Sequence, residues 1–164
     1  MVKALLSHLT GRSPDNTIMY YTDSAIYTIW KYDFDAETGN ISNRRIFATI
    51  DHFEHQTKAE PDGLAVDVQG YVWSALWGAC KVVRFSPTGE AVAEILLPAL
   101  RVSCPAFGGK DMDELFITTA DLDEDDLEGR RKYIENGSIF RVKVGIKGLP
   151  KYRFRPAKPF EISA

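Results

Sequence analysis

The chain has 164 residues, 45% hydrophobic and 26% charged, with a formal net charge of -3. That suffices for one domain with a real core, and it shows neither the basic patch that nucleic acid demands nor an apolar run near the roughly 20 residues of a membrane span. The opening Met1-Val-Lys-Ala-Leu-Leu-Ser-His has one lysine and a short apolar stretch, too little for a secretory signal, and Cys80 and Cys104 form neither a disulfide framework nor a zinc pattern, so a cytoplasmic location with free thiols is expected.

Residues 1–12 are ambiguous: Leu5, Leu6 and Leu9 have helical spacing, but Gly11 closes a short stretch. Ser13-Pro-Asp-Asn16 reads as a turn. Strands are predicted over 17–24 and 26–34, where β-branched and aromatic residues dominate and apolar and polar positions alternate. A hairpin turn over 35–40 leads to a third strand over 44–50. A polar loop over 51–60 then reaches Pro61-Asp62-Gly63. The order repeats with strands over 64–67, 72–77, 81–85 and 91–97. A third round holds 106–107, 115–119, 138–144 and a further short run over 151–154. The rounds share a pattern: Trp30-Lys-Tyr-Asp-Phe, Val83-Arg-Phe-Ser-Pro and Phe140-Arg-Val-Lys-Val occupy comparable places. A repeat of roughly 45 to 50 residues with four strands each is the mark of a β-propeller blade. The fold class is all-β, a partial propeller of about three four-stranded blades.

Among candidate functional residues, Asp62 stands first. Proline fixes φ before it and glycine frees the backbone after it, so a Pro-Asp-Gly turn at a strand start holds one carboxylate in place. A plain surface turn, with the Asp bonding its own backbone, is the commoner meaning of that tripeptide. Asp23 ends a strand; it either lines a site or, more often for such residues, bonds nearby backbone. His52 and His55 have His-x-x-His spacing without a third zinc ligand, which favours exposed histidines. Trp73 and Trp77 are expected to pack between blades, and Arg101 follows the fourth strand of the second round. The acidic run Asp121–Glu128 beside the basic Gly129-Arg-Arg-Lys132 is expected to be a solvated loop or short helix, since it lacks the spacing of a calcium loop. No serine or cysteine has a partnered base.

An ordered series of segments resembles the family of gluconolactonases, regucalcin and senescence marker protein. It comprises Ser13-Pro-Asp-Asn, Met19-Tyr-Tyr-Thr-Asp-Ser24, Ile29-Trp-Lys-Tyr-Asp-Phe34, Pro61-Asp-Gly-Leu-Ala-Val-Asp67, Trp73-Ser-Ala-Leu-Trp-Gly78, Pro87-Thr-Gly89, Ala106-Phe-Gly-Gly109, Leu115-Phe-Ile-Thr-Thr-Ala120 and Gly137-Ser-Ile-Phe-Arg-Val142. The resemblance implies a six-bladed propeller with a divalent cation (calcium, zinc, magnesium or manganese) at the top of its central channel. It implies hydrolysis of a small-molecule sugar lactone. In the family a Glu, an Asn and an Asp hold the metal, and Asp62 matches the Asp, which also serves as general acid and base.

Two departures qualify what the resemblance implies. Six blades of ~40 to 45 residues need on the order of 250 residues, so residues 13–164 are read as the C-terminal half and 1–12 as an atypical N-terminal segment. The half that carries the Glu and most substrate contacts is not in this sequence. Counting back from Ser13, His8 falls where the family has its Asn, and a lone histidine there is not adopted as a ligand. The reading is therefore a metal-dependent lactonase-type hydrolase in incomplete form. Its rival is a non-catalytic or calcium-binding propeller piece acting as a binding or assembly module. Three blades also expose broad apolar faces, and self-association through them is expected.

Overall fold

The structure is a computed structural model and describes residues 10–50 and 59–150. Eleven strands and one short helix are described: β1 (Thr10–Arg12), β2 (Ile18–Asp23), β3 (Thr28–Phe34), β4 (Ile41–Thr49), β5 (Glu60–Val66), β6 (Val72–Trp77), β7 (Lys81–Phe85), β8 (Ala91–Leu96), β9 (Val102–Gly108), β10 (Glu114–Thr119), α1 (Leu127–Lys132) and β11 (Ile139–Lys143). They form three antiparallel sheets in chain order, β1-β2-β3-β4, β5-β6-β7-β8 and β9-β10-β11. The expected fourth strand of the last sheet, over 151–154, lies outside the described residues, as do His8, His52 and His55.

The first three strands of the middle sheet, β5 to β7, are largely buried, and strand alternation divides their side chains between two cores. Val72, Leu76, Val83 and Phe85 pack with Tyr20, Ile29 and Phe47 of the first sheet. Trp73, Ala75 and Val82 pack with Val102, Phe107, Leu115 and Ile117 of the third. This is why β6 reads as one apolar run, whereas β3 and β11 alternate.

The first strands of the three sheets lie side by side: β5 packs against β1 on one flank and β9 on the other. Gly11 permits the close approach of β1, because a Cβ there would stand 2.5 Å from Leu64 Cδ1 and 2.9 Å from Val66 Cγ2. Residues 10–12, read from the sequence as the end of an atypical N-terminal segment, supply the inner strand of the first sheet, in register Thr10↔Tyr21 and Arg12↔Met19. Three residues are too few to show a strand period in the sequence.

One further strand differs from expectation. Residues 102–105 extend β9 well before the predicted 106–107, although Pro105 lies in the strand. Proline is tolerated there because β9 is the edge strand of its sheet and pairs only with β10. The acidic–basic run does become a short helix: Asp126 caps α1, accepting from the Gly129 N–H at 2.8 Å, and Arg130, Arg131 and Lys132 fall in its last turn.

Candidate functional site at one end of the inner strands

One end of the inner strands gathers Asp23, Asp62, Trp77 and Arg101 from among the residues singled out in the sequence. Glu60 at the start of β5 pairs with Trp77 at the end of β6, and Trp77 is bridged in turn to Arg101 just before β9. The turn between β2 and β3 meets the same end, because Ser24 Oγ donates to the Pro61 carbonyl at 2.6 Å. Asp62, one residue on, is half-buried on the inner strand of the middle sheet.

Pro61-Asp62-Gly63 is not a turn ahead of a strand. It lies inside β5, and the pairing with β6 slips between Pro61 and Leu64. Gly63 is not among the residues with positive φ, so the freedom expected of it is not used. The cause is local. Proline cannot donate to a ladder and is accepted in edge strands and at bulges, and β5 is an edge strand. A bulge re-aims a side chain at such a place, so the carboxylate is presented by an irregular strand.

Asp23 is half-buried at the end of β2 and precedes a single 3-10 turn, Ser24–Ile26, to which its side chain makes no capping hydrogen bond. The backbone-bonding role expected for it is not seen in that turn. Trp77 is at the rim, with the Arg101 guanidinium 5.5 Å above its ring. Trp73 alone is the inter-blade packer that both tryptophans were expected to be. It is buried and stands edge-on to Phe107 at 6.1 Å between ring centroids.

The sequence reading missed how Arg101 is held. Its Nη2 donates to Asp123 Oδ2 at 2.7 Å and its Nη1 to the Asp121 carbonyl at 2.9 Å. Asn136 Oδ1 accepts from the Leu100 and Arg101 N–H groups at 2.9 and 3.1 Å. The segment between β10 and β11 is thereby tied to the start of β9. The Arg101 guanidinium holds the Asp123 carboxyl below the usual carboxylate value, and Asp123 raises Arg101 in return. The only signal in the sequence was opposite charge, which does not name the partner.

Cys80 and Cys104 are not joined in a disulfide and are half-buried; burial pushes the Cys80 thiol up, with Lys132 opposing the shift. A groove of about 290 Å³ follows the inner strands, lined by Gly11, Leu64, Val66, Cys104, Ala106 and Leu149 among others. A depression of about 360 Å³ lies farther out, between Ile50, Leu76, Phe85 and the Lys81–Glu94 pair. Asp62 lines neither.

The family model of the SMP-30/gluconolactonase/LRE-like region matches residues 10–121. The chain belongs to that family. Regucalcin of Sus scrofa is 38% identical over 144 residues, spanning 87% of this chain and 46% of the relative. Regucalcin of Danio rerio is 36% identical over 151 residues, 91% of this chain and 50% of the relative. Among solved structures, a calcium-binding regucalcin from Agrobacterium tumefaciens superposes with a TM-score of 0.78 at 28% identity, covering 91% of this chain and 50% of that one. A luciferin-regenerating enzyme superposes with a TM-score of 0.75 at 31% identity, covering 88% and 47%. The chain spans about half the length of these relatives. The three sheets are thus a partial propeller.

Among the described residues no three His, Cys, Asp or Glu side chains gather where they could share an ion. Calcium takes about six to eight oxygen ligands, and one carboxylate at Asp62 does not meet that requirement. The described residues do not fit a complete divalent-metal site. Nor is any described helix long and apolar enough to cross a membrane.

Proposed function

We propose that this chain is a portion of a lactonase-type hydrolase acting on a sugar lactone, with Asp62 as its proton carrier. The observation that carries this reading is the family match over 10–121, which runs through the inner strand that bears Asp62. Lactone opening needs water to attack the carbonyl carbon while the ring C–O bond breaks. Ionised near neutrality, a carboxylate takes the proton from that water and returns it to the leaving ring oxygen, giving a hydroxy acid. The half-buried setting of Asp62 limits water around it while leaving it reachable. A divalent cation is proposed as the partner of the whole family site, with Asp62 contributing one of its ligands.

A second reading has its own support. No group of three potential ligands forms among the described residues, which favours a propeller piece that binds or assembles without turning over substrate. One assay separates the two. The purified chain is incubated with a sugar δ-lactone and calcium, zinc, magnesium or manganese. The hydrolase reading expects slow, metal-dependent opening that falls ~10²-fold or more in Asp62→Asn. Turnover indifferent to Asp62→Asn removes Asp62 from the chemistry; no turnover with any metal favours the assembly reading.

A further inference from the structure

We propose that Ser24 is the positioning residue for Asp62, acting from the first sheet across to the bulge of the second. The proposal rests on the reading of Asp62 as proton carrier for its catalytic meaning, and on geometry for its structural part. The register slip between Pro61 and Leu64 takes the Asp62 and Gly63 peptides out of the regular β6 ladder. Backbone released from a ladder must be held otherwise or it moves. Two devices act on the residue that leads into it. The proline ring fixes φ of residue 61. The Ser24 hydroxyl, donating to the Pro61 carbonyl at 2.6 Å, fixes the plane of the peptide that leads into Asp62. Every backbone torsion of Pro61 is thereby set before the chain reaches the Asp62 Cα.

The anchor is itself rigid. Ser24 opens the 3-10 turn Ser24–Ile26, which is closed by the Tyr27 N–H donating to the Ser24 carbonyl at 3.2 Å. Tyr27 ends it with φ of 56°, a left-handed conformation that a bulky residue keeps only where its surroundings impose it. The same turn is tied to the end of β4, since the Ile50 N–H donates to the Tyr27 carbonyl at 2.8 Å. The hydroxyl therefore comes from a fixed corner. Misplacing a catalytic group by about an ångström costs ~10²-fold in rate, so a hold on Asp62 of this kind is worth a measurable part of turnover.

The test uses the full chain as wild type, Ser24→Ala and Ser24→Thr. Backbone ¹⁵N relaxation reads the hold directly, without any need for turnover. In Ser24→Ala the order parameters of Asp62 and Gly63 are expected to fall from about 0.85 toward 0.6, with Val72–Trp77 unchanged. Lactone opening is expected to lose ~10- to 100-fold in kcat at constant KM. Ser24→Thr, which keeps the hydroxyl, is expected to restore both. Unchanged order at Asp62 and Gly63 in Ser24→Ala overturns the proposal. An equal loss of order across β5 to β8 also overturns it, by reducing Ser24 to a staple between sheets. Full turnover in Asp62→Asn, with the Ser24→Ala relaxation effect intact, overturns the hydrolase reading alone and leaves the hold of Ser24 on residue 62 standing.

Discussion

Asp67 is fully buried, and Arg84 closes on it: Nη2 and Nε donate to Asp67 Oδ2 at 2.8 and 3.1 Å. The carboxylate also accepts from the Gln69 and Tyr71 N–H groups at 2.9 and 3.0 Å and from Trp73 Nε1 at 3.0 Å. The guanidinium lies over the Tyr71 ring at 3.7 Å from its centroid. Turn backbone, core tryptophan and neighbouring strand thus share one anion at the end opposite Asp62. Removing one partner of a buried pair leaves an uncompensated charge and costs about 3–5 kcal/mol. Asp67→Ala is expected to destabilise the chain by that amount in urea titration. Arg84→Ala is expected to cost less, because three donors remain on the carboxylate. Losses under 1 kcal/mol in both would show that the node is dispensable.

Gly89 tests a close approach between turn and sheet. Its φ is +94°, and a Cβ there would fall 1.9 Å from the Phe47 carbonyl oxygen. That oxygen belongs to backbone, so it cannot swing away as a side-chain end can. Gly89→Ala combines left-handed strain of about 1–2 kcal/mol with overpacking of about 1–3 kcal/mol. Thermal unfolding is expected to fall by at least 5 °C; Gly39→Ala, where nothing lies within 4 Å of the added Cβ, isolates the strain part alone.

How much of this was legible depends on the range of the signal. The strand over Lys81–Phe85 carries its own alternation and turns, and the structure keeps both its ends. The bulge at Pro61–Leu64 was not legible, because Pro-Asp-Gly specifies a turn only when no ladder competes for it. Thr10–Arg12 was too short to show a period, and the close approach of Gly11 to Leu64 joins residues far apart in the chain. For the candidate site, Asp62 was found by its local motif. Ser24 was not, since its bond spans 37 residues and no short-range pattern reports it.

Acid is expected to weaken the fold through four carboxyls. Asp15 is held below its usual value of 3.8 by Ser13 and Thr17, Asp33 by Arg45 and Asn43, Asp35 by Thr38 and Glu37, and Asp123 by Arg101. Each folded-state value lies below the unfolded one, so the folded state binds fewer protons in that range. The stabilisation is complete above about pH 5, where the unfolded carboxyls are also ionised, and is lost as pH falls through the depressed values. All four groups are exposed, so each effect is small and salt-sensitive. A urea series from pH 6 to pH 2 is expected to show a flat plateau above about pH 5 and a decline below it, shallower in Asp123→Asn. Rising stability on acidification would contradict the assignment.

The last expectation concerns the chain's own surfaces. Ile139 on β11 is 69% exposed, and β11 is an edge strand among the described residues. At the other end of the array, the face of the first sheet turned away from the middle one carries Met19, Tyr21, Trp30 and Tyr32, with Ile46 59% exposed beside them. Arg44 lies over Trp30 at 4.6 Å from the ring centroid, which covers part of that ring without burying the sheet. Contiguous apolar faces and unpaired edges favour association. Two copies related by a two-fold axis would bring the first sheet of each against the third sheet of the other. Light scattering on the purified chain at micromolar concentration is expected to give a dimer or larger species. A charge placed on either end surface, Ile46→Glu or Ile139→Lys, is expected to shift the chain toward monomer, and the pair together to do so more than either alone. Both substitutions fall on exposed positions, so the folded fraction should stay within about 0.5 kcal/mol of wild type, and circular dichroism checks that control. A wild-type chain that stays monomeric at high micromolar concentration would show that these faces are covered within the chain itself.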